Sequence, residues 1–346
     1  MWGYSIYEVG NLGGNDKVQT KLVLFLVGDF MLRKKALRKI FITTMSLFII
    51  MTIYLIPLTE KTLETNLEFE YITDLANSSI YLLDENNYLV KTKVLLDNEK
   101  IEDNIKSIIN NLTISDESKF PDNLESIIPK KTKLNSINIE SDSVTLDFSK
   151  ELLKVDEDLS TKLIEAIVFS ITEIDDINKV NITVESTPLE TYPNSDKKLI
   201  QPLTREIGIN NEYTYNTLDN ITKVVIYYGE DINDDIYYVP VTKYLNNNDN
   251  KDKINIIVEE LTTSYIYEDN LKSILNENTR LIDKELVDDD LLILNFNNAL
   301  FDSNSKIKEE VLYILSYSAF ANYSVNTISF RVDGQDIETV KRSDLN

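Results

Sequence analysis

The 346-residue chain contains no cysteine, no histidine and only eight glycines. Without the first two residue types it has no thiol nucleophile, no Ser-His-Asp triad and none of the usual zinc, haem or iron–sulfur ligand sets. No disulfide can hold the fold together, and any enzyme of this composition would depend on carboxylate, lysine, tyrosine or serine chemistry. The scarcity of glycine and the absence of GxGxxG and P-loop patterns argue against nucleotide binding.

Basic residues are also in short supply. The chain has 35 Lys and Arg against 58 Asp and Glu, a formal net charge of −23. This balance argues against nucleic-acid binding, which needs basic patches that displace counterions. Apolar residues make up 42% of the chain and charged residues 27%, as in globular proteins. The length suggests about two domains.

One long stretch carries no charge at all. It reads IFITTMSLFIIMTIYLIPLT, and a helix of about 20 residues spans about 30 Å, the thickness of a bilayer's hydrocarbon core. Five basic residues just before it should stay in the cytoplasm. We therefore predict one transmembrane helix at Ile40–Leu58, with the rest of the chain outside the cytoplasm. A buried core helix and a cleaved signal peptide are the alternatives, but no small-x-small cleavage site follows.

The regions that flank this segment differ in composition. Residues 1–30 hold five of the eight glycines and the only tryptophan, and Met31 then opens the basic run MLRKKALRKIF. We hypothesise that Met31 is the true initiator and that residues 1–30 are an extension added by the gene model. Residues 31–59 then form the basic segment and anchor, and 60–78 a stalk. The remainder from residue 59 carries a net charge of −27, which predicts a body that stands away from the anionic membrane or binds a basic partner; a solvated acidic surface is the alternative.

Residues 79–186 and 224–334 form two copies of one pattern. Two helices with apolar residues at i, i+3, i+4 spacing are predicted in each copy. Each copy is therefore predicted as β-β-α-(short helix)-β-β-α-β, an α+β domain whose helices cover a mixed sheet. The matched segments are 80–85 with 225–230, 88–96 with 237–245, 122–127 with 269–274, and 144–148 with 292–296.

This pattern divides the extracytoplasmic region into domains. The predicted domains cover residues 79–186 and 223–336. Residues 187–222 contain three prolines, which break helices, and are predicted as a linker, either a simple connector or an ordered strap. Residues 337–346 are predicted as a polar tail.

The pattern resembles a known family. An Ile-Pro-x-x-Thr-x-Leu turn at 128–134, the Val-Thr-Leu-Asp-Phe-Ser strand at 144–149 and the closing Phe-Arg-Val-Asp-Gly at 330–334 are similar to the GerMN-domain family of sporulation and spore-germination proteins. The resemblance covers nearly all of residues 79–334. It implies a membrane-associated role between mother-cell and forespore membranes, helping to place or build a complex with protein partners. It implies no catalytic residues.

The chain departs from the family pattern in three respects. Leu275-Asn276 stands in the second copy where the first has Ile128-Pro129, and Glu185-Ser186 stands where the second copy has Asp333-Gly334. Members of the family are often lipoproteins, whereas this chain has no cysteine to lipidate and is predicted to use its transmembrane helix instead.

The sequence offers one candidate calcium loop. Asp231, Asn233 and Asp235 have the opening spacing of an EF-hand, but Ile236 replaces its glycine and Thr242 its bidentate glutamate. A turn between two strands explains the pattern better. We predict no metal site here.

Other carboxylates were weighed as candidates. Asp288–Asp290 is predicted to form a hairpin turn, with a cation site as the minor alternative. Asp147, the acid within a strand motif, becomes Asn295 in the second copy, and we expect it to face solvent between Leu146 and Phe148. We therefore predict no catalytic, cofactor-binding or metal-binding residues and no cofactor.

Tyrosines crowd the start of the second copy. They either stack across the sheet or contribute to a protein interface. The six are Tyr213, Tyr215, Tyr227, Tyr228, Tyr237 and Tyr238.

Together these patterns predict a non-catalytic, membrane-anchored extracytoplasmic structural or assembly protein of sporulation or spore germination. One alternative is a membrane-anchored cell-wall hydrolase that acts through carboxylates. Another is an extracytoplasmic ligand-binding sensor.

Overall fold

The computed structural model describes most of the chain beyond residue 75. It divides the protein into two units, residues 1–72 and 73–346. In the first unit, residues 38–39 and 41–47 are helical and their side chains are exposed. The described residues are 38–39, 41–47, 76–96, 100–116, 120–232, 235–263 and 271–345.

Several predictions for the N-terminal region cannot be compared with this structure. Residues 1–30, Met31 and residues 60–75 of the predicted stalk lie outside the described residues, as does most of Ile40–Leu58. Within the part of the chain that is described, no helix is both long and apolar enough to span a bilayer.

The second unit contains the predicted tandem repeat, and its α+β class is confirmed. We call residues 76–188 copy 1, residues 189–220 the strap and residues 221–345 copy 2. Copy 1 contains β1 (Ala76–Leu83), β2 (Leu89–Leu96), α1 (Ile101–Leu112), β3 (Leu134–Glu140), β4 (Ser143–Phe148), α2 (Ser160–Ile171), β5 (Lys179–Val184) and β6 (Thr187–Pro188). The strap contributes β7 (Glu212–Tyr213), and copy 2 contains β8 (Ile221–Ile232), β9 (Asp235–Asn246), α3 (Lys253–Thr262), β10 (Leu281–Val287), β11 (Leu291–Phe296), α4 (Glu309–Asn322), β12 (Thr327–Val332) and β13 (Gln335–Lys341).

Each copy has a four-stranded mixed sheet of its own, in the order β3-β4-β5-β6 or β10-β11-β12-β13. In both sheets the central pair is parallel and the outer pairs are antiparallel. A third sheet joins the copies. It runs β1-β2-β9-β8, all antiparallel, and β7 of the strap pairs in parallel with the end of β9. The two copies therefore share one sheet.

The helices bury the stripes that their sequences predict. On α1 the buried residues are Ile105, Ile108, Ile109 and Leu112, spaced so that all four lie on one face. Helix α2 is buried on nearly every side from Leu163 to Ile171, because it packs against both β1 and α1. Helix α4 packs on β8 in the same way.

The short helix predicted after the first helix of each copy is not found among the described residues between α1 and β3. Glu125 instead exchanges backbone hydrogen bonds with Leu83, at 2.8 and 2.9 Å, so this segment is extended rather than helical. Short 3-10 helices occur later, at Lys150–Lys154 and Glu157–Leu159.

Each copy ends on one more strand than the sequence indicated. Strands β5 and β6 are joined by Glu185-Ser186, and β12 and β13 by Asp333-Gly334, and all four residues have positive φ angles between 49° and 81°. Two successive positive φ angles are typical of the tight type I′ hairpin turn. The predicted polar tail is therefore wrong. Its residues form most of β13 and a 3-10 helix at Arg342–Leu345, and Leu345 is only 3% exposed.

Candidate functional site

The two copies meet at a junction whose centre is built from equivalent residues. The backbone N–H of Tyr81 donates to Ser170 Oγ at 3.0 Å, and that of Tyr227 donates to Ser318 Oγ at 2.9 Å. Each serine lies on the helix that packs behind the strand. Tyr81 is thus the structural counterpart of Tyr227. The matched segments 80–85 and 225–230 had paired Tyr81 with Ile226, so the structure shifts that match by one residue.

These counterparts touch each other. The hydroxyl oxygens of Tyr81 and Tyr227 are 3.5 Å apart. The Tyr81 ring packs edge-on against Phe169 at 5.7 Å, and the Tyr227 ring stacks on Tyr317 at 5.1 Å. Contact between equivalent residues is the mark of a two-fold relation. The junction therefore lies on a local pseudo-two-fold axis.

A buried ion cluster breaks this symmetry. The Glu173 carboxylate accepts hydrogen bonds from Tyr81 Oη at 2.9 Å, Lys91 Nζ at 3.2 Å and Arg205 Nη2 at 2.6 Å. The side chains of Lys91 and Glu173 are each only 7% exposed. Lys91 Nζ also lies 4.6 Å from the centre of the Tyr317 ring, so the cluster connects copy 1, the strap and copy 2.

The cluster determines the charge of Glu173. Burial alone would raise the pKa of this carboxyl, but Lys91 and Arg205 lower it to about 2. Glu173 is consequently ionised at neutral pH, and its charge is already compensated. It is therefore suited to holding the junction together rather than to acting as a general acid.

At one point in the shared sheet, a side chain of the strap supplies the hydrogen bonds between β2 and β9. Lys91 of β2 pairs with Tyr238 of β9. Pro240, two residues further along β9, has no N–H to donate to the neighbouring strand. The Asn210 side chain fills the gap. It accepts from Leu89 N at 2.9 Å and donates to Leu89 O at 2.9 Å and Pro240 O at 2.7 Å. One amide thus completes the seam between the copies.

Copy 1 holds this strap residue in place. Asn210 N donates to Glu165 Oε2 at 3.0 Å, and Lys162 Nζ donates to Asn210 Oδ1 at 2.5 Å. Glu165 is 2% exposed. Its burial raises its pKa, and the nearby Lys162 opposes that shift. On the other side, Ile209 exchanges two 2.9 Å hydrogen bonds with Thr242 of β9. The segment predicted as a linker is a structured connection between the copies.

A second pair of equivalent residues, Asp84 and Glu230, lies at the junction. Each follows a residue that exchanges backbone hydrogen bonds with the segment after the first helix of its copy. Asp84 is 7% exposed and Glu230 5%, and burial together with the neighbouring Asp84 carboxyl raises the pKa of Glu230 to about 8. Asp84 Oδ2 and Glu230 Oε2 accept no hydrogen bond from other described groups. Two buried carboxyls close to each other cannot both ionise readily, which favours the protonated form of Glu230.

The candidate calcium loop is a hairpin in the structure. Asp231 and Asp235 lie in β8 and β9, with Asp231 opposite Ile236. Thr242 is fully buried and bonded to the strap. Asn233 lies outside the described residues. Within the described ranges, no group of three acidic side chains could hold a metal ion.

The predicted turn at Asp288–Asp290 is confirmed. Asp288 and Asp289 have φ angles of 49° and 56°, and they connect β10 to β11. The Asn326 amide donates to Asp290 Oδ1 at 2.7 Å, which ties this turn to the start of β12.

The expectation that Asp147 faces solvent is wrong. It is 7% exposed and accepts hydrogen bonds from Thr183 Oγ1 at 2.5 Å and Ser186 N at 2.7 Å. Burial opposes ionisation, but these hydrogen bonds outweigh it and lower the pKa. Asn295 has the same role in copy 2, accepting from Gly334 N at 2.9 Å. Both side chains hold the closing β-turn, which needs an acceptor and no charge.

Several of the tyrosines stack on other rings within the chain, as the first of the two roles predicts. Tyr227 and Tyr238 lie at the junction, where both pack against Tyr317. Tyr213, 63% exposed, stacks on Tyr244 at 4.9 Å at the strap. Stacking within the chain therefore accounts for several of these rings, and a role at an interface with a protein partner stays a prediction.

Sequence reasoning missed the residues that carry the junction. Glu173 and Asn210 are common residue types in an acidic, Asn-rich chain and belong to no motif. Arginine offered a signal, since only four occur after residue 59 and two of these, Arg205 and Arg342, lie at the junction. Arginine is the residue best suited to buried ion pairs.

The fold and the junction define a protein of two fused α+β copies that share a central sheet. The family described as "Germane: Sporulation and spore germination" matches residues 79–190 and 213–338. The chain belongs to this family.

Two relatives give the comparison more detail. The chain is 26% identical over 264 residues to the spore germination protein GerM of Bacillus subtilis (strain 168), covering 74% of this chain and 71% of GerM. It is also similar to the solved structure of the tandem GerMN domains of the sporulation protein GerM from Bacillus subtilis. That match has a TM-score of 0.70 at 25% identity and covers 78% of this chain and 97% of the solved one. Neither name describes an enzyme.

Proposed function

We propose that this protein is a non-catalytic structural or assembly protein of sporulation or spore germination. One helix at Ile40–Leu58 holds it in the cell membrane, with its N-terminus in the cytoplasm and both copies outside. In a sporulating cell the copies would occupy the space between the mother-cell and forespore membranes. The observation that carries this proposal is the family match over both copies, which a shared sheet joins into one unit.

The architecture is suited to an assembly role. The shared sheet, the Glu173 ion cluster and the strap hold the two copies in a fixed relation, so their outer surfaces keep a defined spacing. The net charge of −27 beyond residue 59 favours protein partners with basic surfaces. We propose that such partners belong to a membrane-associated sporulation complex that this protein helps to place or build.

A clean deletion of the gene in the spore-forming host tests the process. We expect fewer heat-resistant spores, and complementation with the intact gene should restore the yield. Unchanged sporulation and germination in the deletion strain would contradict the proposal.

Protease treatment of intact protoplasts tests the topology. The region from residue 73 onward should be cleaved from outside, whereas a tag at the N-terminus should be protected. A variant that lacks residues 40–58 should no longer sediment with membranes. Protection of the whole chain would rule out the proposed orientation.

A further inference from the structure

A cleft of about 430 Å³ opens between the two copies beside the ion cluster. Its walls come from α2 and the strap on one side and from β8 and α4 on the other. Tyr227 and Tyr317 form part of its floor. A volume of this size accommodates a small organic molecule.

Two arginines face this cleft from corresponding places. Arg205 follows copy 1 and donates through Nη2 to Phe169 O, near the end of α2, at 3.1 Å. Arg342 follows the last strand of copy 2 and donates through Nη2 to Phe320 O, near the end of α4, also at 3.1 Å. Each guanidinium also lies against a ring, Phe169 at 5.1 Å or Phe320 at 4.6 Å. Both arginines are therefore positioned by helix ends and aromatic rings.

In each arginine, one guanidinium nitrogen makes no hydrogen bond to the described residues. Arg205 bonds through Nε and Nη2, and Arg342 does the same. Among the described residues, neither Nη1 has a hydrogen-bond partner. A guanidinium whose position is fixed by its other nitrogens can offer the free one to a ligand at little entropic cost.

The charge balance of the cleft favours an anion. Glu173 is compensated by Lys91 and Arg205, and the Arg342 guanidinium bonds only to backbone carbonyls among the described residues. Lys253 also lines the cleft, where its charge helps to lower the pKa of Glu206, and it forms no salt bridge with the residues that the structure describes. The exposed Asp175 and Asp176 lie on the same lining and offset part of this charge. Over the whole lining, five basic residues face four acidic ones, which leaves a net charge of +1 in a strongly acidic protein; they are Lys91, Arg205, Lys223, Lys253 and Arg342 against Glu173, Asp175, Asp176 and Glu206.

We propose that this cleft binds a small oxyanion, a carboxylate or phosphate group, held by Nη1 of Arg205 and Arg342 with Lys253 at the entrance. The aromatic floor would accept a flat organic body attached to that group. This site is independent of the assembly role proposed above, because it concerns a small ligand and not a protein partner.

Isothermal titration of the purified full chain in mild detergent tests the site. Phosphate and citrate serve as the two probes, at constant ionic strength maintained with sodium chloride. We expect saturable one-to-one binding of at least one probe. The preferred probe then identifies the ligand group as a phosphate or a carboxylate.

Variants locate the binding. Arg342→Lys and Arg205→Lys keep the charge but remove Nη1, and each should weaken binding about tenfold or more. Lys253→Gln, an exposed change that leaves the fold intact, should weaken it about threefold. Lys131→Gln removes an equally exposed lysine that does not line the cleft, and it should bind as the unaltered chain does.

The proposal is overturned if neither probe gives saturable heat up to about 10 mM, well above a millimolar dissociation constant. It is also overturned if Lys253→Gln and the folded arginine variants bind as tightly as the unaltered chain. If circular dichroism shows that an arginine variant does not fold, the comparison of Lys253→Gln with Lys131→Gln tests the proposal instead. Equal affinity of these two variants for the probe would then overturn it.

Discussion

At the scale of single residues, the junction depends on a few side chains for which the fold leaves no substitute. Glu173 is the only carboxylate that contacts both Lys91 and Arg205 among the described residues. Gly208, just before the seam residue Asn210, has a φ of +75°. Both positions can be tested against a matched neighbour.

Replacing Glu173 with Gln should lower the free energy of unfolding by about 3 kcal/mol at neutral pH, since it leaves Lys91 buried beside no carboxylate. The folded pKa lies below the ordinary 4.5, at about 2, so the contribution of the charge is fully present above pH 4.5 and is lost as the pH falls towards 2. Urea unfolding across this range should show the two proteins converging. Glu206→Gln is the control, because Glu206 pairs with Lys223 but its side chain is 87% exposed. This change should alter the free energy of unfolding by less than about 0.5 kcal/mol. If Glu173→Gln and Glu206→Gln lowered the free energy of unfolding equally, the stabilising role of the buried Glu173 ion cluster would be contradicted.

Gly208→Ala should destabilise the protein more than Gly334→Ala. Both glycines have positive φ angles, 75° and 81°, so an added Cβ strains the backbone by about 1 kcal/mol at each. At Gly208 the new atom would also lie 2.0 Å from Asn211 Oδ1, whereas at Gly334 nothing lies within 4 Å. Relief of that clash would disturb the Asn211 amide, which donates to Glu165 at 2.9 Å. Thermal unfolding of the two variants measures the difference, and a smaller loss at Gly208 would be inconsistent with this packing.

At the scale of elements, the important feature is that the strap completes the seam between β2 and β9. A proline within a paired strand leaves a donor missing, and here a side chain from a third segment supplies it. The strap is consequently part of the shared sheet.

Asn210→Ala should cost about 2–4 kcal/mol, because it leaves Leu89 N, Leu89 O and Pro240 O buried without partners. Asn220→Ala is the matched control, since both asparagines have positive φ, 49° and 51°, but the Asn220 side chain is exposed. The difference between the two variants isolates the buried hydrogen bonds from the backbone strain. Hydrogen exchange at the Leu89 amide should accelerate only in the first variant, and protection that persists there would count against the bridging role.

Local sequence patterns predicted most elements but not how they pair. The stripe from Ile105 to Leu112 and the alternation in β4 are local signals, since burial follows helical or strand spacing. The contact of Lys91 with Tyr238 joins residues far apart in the chain and leaves no local pattern. The extra strands β6 and β13 were missed because the first is two residues long and the second is polar and largely exposed.

The candidate site was harder to predict than the fold. Asp147 looked exposed because it alternates with apolar neighbours, but the closing turn folds back over it. Glu173 lies just beyond the end of α2, and its burial depends on Tyr81, Lys91 and Arg205, which are distant from it in the chain.

At the scale of the whole molecule, the two copies bury acidic groups against each other at neutral pH. Asp84 and Glu230 come from opposite copies, and Glu85 and Asp231 add further negative charge nearby. The stability of the second unit should therefore depend on pH through this pair.

Glu230→Gln should stabilise the protein at alkaline pH. The folded pKa of Glu230 is about 8 and its ordinary value 4.5, so the native state retains a proton that the unfolded chain releases, and stability falls as the pH rises through this range. At about pH 9 the free energy of unfolding of the variant should exceed that of the unaltered chain by on the order of 1–3 kcal/mol, and near pH 5 the difference should be smaller. Glu85→Gln, which removes an exposed neighbour, should show little change. If the free energies of unfolding of Glu230→Gln and the unaltered chain differed by the same amount at every pH, the raised pKa of Glu230 would be refuted.

The meeting of Tyr81 with Tyr227 across a local axis has an evolutionary consequence. A single-domain ancestor with a tyrosine at this position could present the same strand edge and the same ring to a second molecule of itself. Fusion of two such genes would turn that homodimer into one polypeptide, and each half could then diverge. Copy 2 has Ala321 at the position that corresponds to Glu173, counted from the paired serines Ser170 and Ser318. The ion cluster at Glu173 is what such divergence would add once the partners no longer had to be identical.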